Sequence, residues 1–197
     1  MTPTVKRRKR KPRAAPARPR PRDAEAHERV APIRDEETLE TGLRLLRARD
    51  PETVETMLAL AGPPPLRQRD PDLRGLAWIV ISQQVSTASA NAIFARFCAR
   101  YPDCDAHALA GAGDDELRAC GLSAPKMRTL RAIAGAIVAG ALDFSTLAEM
   151  EAARAHACLV AIHGVGPWTA DIFLLFCLGH PDAWPAGDLA QIGRAHV

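Results

Sequence analysis

The sequence predicts an all-α fold, and three observations carry the prediction. Apolar residues recur at helical intervals, as at Leu39, Leu43 and Leu46, which lie at i, i+4 and i+7. Helix stop signals punctuate the apolar runs, with Gly62, Gly121 and Gly140 each closing one. No stretch alternates apolar and polar residues for long enough to form a strand.

The elements follow in order. A helix is expected around Leu39 to Leu46, and a second from Thr53 to Ala61, ended by Gly62 and Pro63-Pro64-Pro65. Asp70-Pro71-Asp72 then opens an apolar run through Leu76, Trp78, Ile79, Val80 and Ile81. Ser82-Gln83-Gln84 interrupts it, and Ala88 to Arg100 resumes with Ala92, Ile93, Ala95, Phe97 and Cys98. Glu116 to Cys120 is a short helix before Gly121. Lys126 to Ala139 is a longer one before Gly140. The last two are expected at Glu151 to Ile162 and Pro167 to Leu178.

Charge divides the chain. Residues 1–22 hold ten Lys or Arg and no acid, and removing them leaves 16 basic against 23 acidic residues, a formal charge of −7. Residues 1–34 are rich in Lys, Arg, Pro and Ala without periodicity, and a segment with so little apolar surface is expected to be disordered. It reads either as a tether that binds DNA by counterion release or as a solvated tail. The rest of the chain is not a polyanion binder by charge alone.

Several classes are disfavoured. No apolar run reaches the roughly 18 residues that a membrane span needs. The basic start lacks the apolar stretch of a secretory signal. Five cysteines (Cys98, Cys104, Cys120, Cys158 and Cys177) include no CxxC pair, so neither a zinc signature nor a disulfide framework is present. A reduced cytoplasm is the expected compartment. The Ala/Arg-rich bias points to a GC-rich bacterial source.

The most informative segment is Leu159-Val160-Ala161-Ile162-His163-Gly164-Val165-Gly166-Pro167-Trp168-Thr169-Ala170-Asp171. Two apolar helices are joined by a turn whose glycines permit positive φ and close backbone approach. Gly166-Pro167 opens the second helix, with Pro at a position where its missing N–H costs little. The outcome is a hairpin with backbone N–H groups at the positive end of a helix, which favours phosphate without a basic side chain. An acidic domain can thus grip DNA through dipoles. The plainer alternative is an ordinary tight joint between two helices.

Together with Ile79-Val80-Ile81-Ser82-Gln83-Gln84-Val85-Ser86 and Trp184-Pro185-Ala186-Gly187-Asp188-Leu189-Ala190, this hairpin resembles the helix-hairpin-helix Gly/Pro…Asp superfamily of DNA glycosylases. The resemblance runs from about Glu36 to Ala190 and is nearest to the 3-methyladenine DNA glycosylase II group, in its compact form without a sheet-containing N-terminal domain. It implies a helix-hairpin-helix glycosylase fold over residues 35–190. It also implies a monomeric enzyme of base excision repair that flips alkylated purines, such as 3-methyladenine and 7-methylguanine, out of duplex DNA and hydrolyses the N-glycosidic bond.

The resemblance implies roles residue by residue. Asp188, twenty positions beyond Trp168, matches the catalytic carboxylate. Cleavage builds positive charge on the sugar, which a buried carboxylate stabilises while it orients or deprotonates the attacking water. The alternative for Asp188 is a helix N-cap. Bifunctional relatives carry a Lys where Trp168 stands and form a Schiff base; an indole cannot, so base removal without strand nicking is expected. Trp168 would line the base pocket with Ile172, its π face stacked on an electron-poor purine, unless it is only core. His163, Gly164, Val165, Gly166 and Thr169 form the DNA-binding hairpin, although His163 also reads as a solvent-facing turn residue. Gln84, or next Gln83, would fill the gap left by the flipped base, since extrusion costs a few kcal/mol; the alternative is an amide that caps a helix. Carbonyls of Val160, Ile162 and Val165 would hold a structural Na+ or K+. No other cofactor is implied, because the subgroup with Trp at this position normally lacks the iron–sulfur cluster of some relatives.

Two departures stand out. Some family members have Tyr where this chain has Ile172, so a narrow preference for cationic methylpurines is expected. Relatives also continue past the catalytic Asp with helices that wall the pocket, whereas nine residues follow Asp188 here. The last six, Ile192-Gly193-Arg194-Ala195-His196-Val197, back-translate to a sequence resembling a common sequencing adapter. The expectation is a fold incomplete at the C-terminus, with residues 191–197 as read-through and a cost to folding and activity. The competing function is a non-catalytic helix-hairpin-helix DNA-binding module, which needs neither Asp188 nor its spacing. A third, an RNA-binding or chromatin-type protein, rests on residues 1–22 alone.

Overall fold

The computed structural model describes residues 31–188. The basic tail predicted at 1–34 lies outside the described residues except for its last four positions, and so do Leu189, Ala190 and the predicted read-through at 191–197. Among the described residues the secondary structure is ten α-helices and no strands, as the periodicity predicts.

α1 (Glu36–Arg49) and α2 (Pro51–Ala61) form an antiparallel pair at the start of the fold. Asp35 caps α1 through Thr38 in a capping box, and Asp50 caps α2 by accepting from the Thr53 N–H at 3.1 Å. Neither helix buries a residue fully, and the Arg47–Glu55 pair that links them (2.8 Å) is exposed and contributes little.

The core is organised around α3 (Leu73–Ser82). Its residues Leu73, Leu76, Ala77, Ile79, Val80 and Ile81 are all buried, the pattern of a helix enclosed on nearly every side. α4 (Thr87–Arg100), α7 (Ala124–Val138) and α10 (Pro167–Phe176) surround it. α4 adds Phe97, α7 adds Met127, Leu130 and Ile133, and α10 adds Phe173 and Leu174. Arg74 on the flank of α3 reaches the Pro102 carbonyl and fastens the end of α4.

Two helices were not expected from periodicity. α5 (Ala106–Ala110) and α8 (Phe144–Glu149) are too short to show a repeat, but each starts at an aspartate. Asp105 accepts from the His107 and Ala108 N–H groups, and Asp143 accepts from that of Thr146 at 2.7 Å. Leu109 and Leu147 then anchor them in the core. α6 (Asp114–Ala119) and α9 (Ala152–Val160) fall within two residues of the predicted spans at their starts and ends.

The fold also takes in residues 31–34, ahead of the predicted boundary at Asp35. The Ile33 N–H donates to the Gly179 carbonyl at 2.7 Å, and Gln68 Nε2 donates to the Ile33 carbonyl at 3.3 Å. Gly179 has φ +65°, and a Cβ there would overlap the Ile33 backbone, so only glycine admits this crossing. Residues 31–34 thus hold to the turn after α10 by main-chain bonds, which a composition argument does not detect.

Candidate active site

A cleft of about 610 Å³ opens between α3, α10, the segment Leu66–Arg69 and the turn that ends at Asp188. Its floor belongs to α3, where Trp78 and Ser82 share one face at i, i+4 spacing and Val85 continues that line beyond the helix. Trp168, Ile172 and Phe176 come from successive turns of α10. Asp188 arrives on a turn closed by its own N–H, which donates to the Pro185 carbonyl at 2.9 Å.

Across this cleft the Trp168 Nε1–H donates to Asp188 Oδ2 at 3.1 Å. The two residues that the resemblance pairs in sequence are therefore in direct contact, and Ile172 lines the same cavity. An ionised carboxylate is an acceptor only, with about four lone-pair sites, and the indole engages one of them. Such a charge-assisted bond fixes the carboxylate's direction.

The hairpin lies at the N-terminal end of α10. The Ile162 N–H donates to the Leu159 carbonyl and the Val165 N–H to that of Ile162, at 3.1 and 3.0 Å, which folds the turn tightly. Gly164 has φ +85°, and a Cβ on it would overlap the Thr129 hydroxyl of α7. Gly166 caps α10 without a side chain and Pro167 takes the first turn, as predicted from the order of residues. The first-turn N–H groups of Trp168 and Thr169 have no place in the α-helical ladder, which begins with the Ala170 N–H on the Gly166 carbonyl at 3.1 Å.

Among the residues predicted to face DNA, His163 and Gly164 are exposed and Gly166 is half-buried. The side chains of Val165 and Thr169 are buried, which leaves their backbone as the part of these two positions that an interface can use. The Thr169 hydroxyl is used internally, accepting from Gln83 Nε2 at 2.8 Å. That bond separates the two candidate glutamines. Gln83 is held inward, whereas Gln84 is exposed with φ +56°, a left-handed conformation unusual for a residue with a side chain.

As for a cation, the Ile162 carbonyl accepts one bond from Val165, and a carbonyl oxygen has a second lone pair for another ligand. No group of three or more His, Cys, Asp or Glu is assembled for a metal among the described residues. His156 Nε2 lies 3.4 Å from Asp171 Oδ1, joining α9 to α10 beneath the hairpin. All five cysteines are unpaired. No helix among the described residues is long and apolar enough to cross a membrane.

Sequence reasoning missed three residues here. The Arg69 guanidinium stacks over the Trp78 ring, 3.3 Å from its centroid, while the Arg69 N–H donates to the Phe176 carbonyl at 2.9 Å. Burial pulls the Arg69 pKa below the usual guanidinium range, although Cys177 and Asp70 act against it. The spacing of Trp78, Ser82 and Val85 was the available signal for Trp78. Lys126 sits in the first turn of α7, where a cation opposes the helix dipole. That conflict signalled a partner elsewhere, and its ammonium indeed donates to the Ile81 and Gln83 carbonyls.

Comparison with known proteins finds a matching family and matching folds. The family described as HhH-GPD superfamily base excision DNA repair protein matches residues 77–194. DNA-3-methyladenine glycosylase 1 of Schizosaccharomyces pombe is 34% identical over 117 residues, which are 56% of this chain and 50% of that protein. The chain therefore spans about half the length of that curated relative. Among solved structures, the DNA-3-methyladenine glycosidase of Bacillus halodurans superposes with a TM-score of 0.67 at 29% identity, covering 75% of this chain and 69% of that one. The S. pombe 3-methyladenine DNA glycosylase in complex with abasic DNA gives 0.66 at 28% identity, covering 76% of each chain.

Proposed function

Because the chain belongs to the HhH-GPD superfamily of base excision DNA repair proteins, we propose that it is a monofunctional DNA glycosylase for alkylated purines, with Asp188 as its catalytic carboxylate. The observation that carries this reading is the Trp168–Asp188 hydrogen bond inside a cleft whose mouth lies beside a helix-opening hairpin.

Each part has a task on this reading. The hairpin N–H groups at the start of α10 hold a backbone phosphate beside the cleft. Gln84, projecting from its turn, fills the space that the flipped nucleotide vacates. The base enters between Trp168 and Ile172, where the Trp168 indole attracts an electron-poor purine. As the N-glycosidic bond breaks, its electron pair leaves with the base and positive charge develops on the sugar. Asp188 stabilises that charge and takes a proton from the water that attacks the anomeric carbon. Without a lysine at position 168 no Schiff base forms, so the product is an abasic site in an unbroken strand.

The substrate range is 3-methyladenine and 7-methylguanine, whose relatives' printed names include 3-methyladenine. The working form is a monomer in a bacterial cytoplasm. It needs no organic cofactor, and a Na+ or K+ held by the carbonyls of Val160, Ile162 and Val165 would add a positive charge next to the phosphate.

The test is free-base release from methylated duplex DNA by the full chain, beside Asp188→Asn. The expected result is release of 3-methyladenine or 7-methylguanine without nicking, abolished in the variant. Equal DNA binding by both proteins with release by neither would leave a DNA-binding module in its place.

A further inference from the structure

The first turn of α7 touches both elements that face the cleft's mouth. Lys126 Nζ donates to the Ile81 carbonyl at 2.7 Å and to the Gln83 carbonyl at 2.9 Å, at the C-terminal end of α3. One turn later, the Thr129 side chain lies directly beneath Gly164 of the hairpin, so close that no Cβ fits between them. Thr129 is buried and its hydroxyl donates to the Pro125 carbonyl at 3.1 Å, which holds it in that position. The Gln83–Thr169 bond closes the circuit from the α3–α4 turn to α10.

We infer that Lys126 and Thr129 are positioning residues that set the Gln84 turn and the hairpin at a fixed separation, so that plug and phosphate grip engage DNA as one unit. The inference rests on the glycosylase reading for the roles of those two elements.

The physical case has three parts. The terminal carbonyls of a helix lack intrahelical partners, and an ammonium is a strong donor to them because the helix end is negative. Lys126 therefore stabilises the turn in which Gln84 holds its left-handed conformation, one that other residues would leave without such support. Both ammonium bonds of Lys126 go to main-chain carbonyls, at 2.7 and 2.9 Å, which occupies its donors here rather than on solvent or phosphate. Thr129 has no route to DNA either, since it is buried. Both residues act through others.

The test uses the full chain and Lys126→Met, which keeps the aliphatic stem, with Lys126→Arg restoring a cation. Hydrogen–deuterium exchange of the free protein reads the amides of residues 84–86 and 163–166. Fluorescence anisotropy reads binding to a duplex with a tetrahydrofuran abasic analogue and to its undamaged counterpart. Expected for Lys126→Met is about tenfold faster exchange at 84–86, a smaller rise at the hairpin, and about tenfold loss of preference for the abasic duplex. Binding to undamaged duplex stays within about twofold, and Lys126→Arg recovers part of each loss. Unchanged exchange at 84–86 in a folded Lys126→Met protein overturns the inference, whatever the DNA results. If exchange rises as expected but the wild-type protein itself shows no preference for the abasic duplex, the glycosylase reading fails while the anchoring of the turn by Lys126 stands.

Discussion

The Trp168 indole and the Asp188 carboxylate, brought from a helix and a turn twenty residues apart, meet at 3.1 Å over the cleft. On the proposed function this contact gives Trp168 two tasks, aiming the carboxylate and offering a ring to the base. The two tasks can be separated. Trp168→Phe keeps a ring and removes the N–H, so the carboxylate loses one fixed partner. We expect kcat for 7-methylguanine release to fall about tenfold, the size of one charge-assisted hydrogen bond of about 1.5 kcal/mol, with KM changed less. Single-turnover kinetics at saturating enzyme would show it. An unchanged rate would confine Trp168 to packing.

Gln84 offers a case in which stability and function should move in opposite directions. Its φ of +56° costs an L residue roughly 1 kcal/mol that glycine does not incur. Gln84→Gly should therefore raise the denaturation midpoint slightly, by up to about 1 kcal/mol offset by glycine's greater chain entropy. If Gln84 is the plug of the proposed function, the same variant should weaken preference for an abasic duplex over intact DNA. Urea unfolding and anisotropy measure the two effects. Lower stability together with unchanged preference would mean that the turn is merely structural.

The parts of this site that sequence shows are those whose chemistry is local. Gly166-Pro167 states a helix start in the residues themselves, and Asp188 stands at a fixed interval from Trp168. The pocket's other wall is different. Leu66–Arg69 is placed by a main-chain bond from Arg69 to the Phe176 carbonyl, and the Trp78 face is covered by a guanidinium from that segment. Backbone partners carry no residue-type signature, so the first contact was not visible, nor was the second, because that main-chain bond is what brings Arg69 to Trp78. For Lys126 the helix dipole signals that a partner exists, but not which one, its acceptors being carbonyls. Thr169 was equally hidden, a polar residue of the hairpin whose hydroxyl points inward and accepts from Gln83.

Gly164 tests the contact between the hairpin and α7 by size. Gly164→Ala meets two penalties, a positive φ and an overlap with the Thr129 side chain. We expect a loss of about 2 kcal/mol or more in unfolding free energy. Adding Thr129→Ala removes the overlap but not the φ strain. The double variant should therefore recover part of what Gly164→Ala loses, with a coupling of about 1 kcal/mol in a double-mutant cycle. Strictly additive losses would show that the two residues do not touch in solution.

Cys177, at the end of α10, is buried and its thiol is pushed up to about 12 from 9.0, chiefly by burial, with Arg69 pulling the other way. The thiolate is the nucleophile, so at pH 8 this shift of about three units should slow alkylation by iodoacetamide roughly a thousandfold relative to the unfolded chain. Mass mapping of the modified protein would place the label elsewhere until denaturant is added. The sign of the linked stability follows from the same shift. The folded state favours the protonated thiol, so its contribution is fully present below pH 9 and is lost as pH rises from 9 towards 12. Cys98, Cys104, Cys120 and Tyr101 are shifted upward by burial too, so the alkaline loss is shared. Replacing Cys177 with Ala should accordingly flatten, not abolish, the fall in unfolding free energy across that window, and an unaltered slope would mean that Cys177 titrates no differently in the folded and unfolded chain.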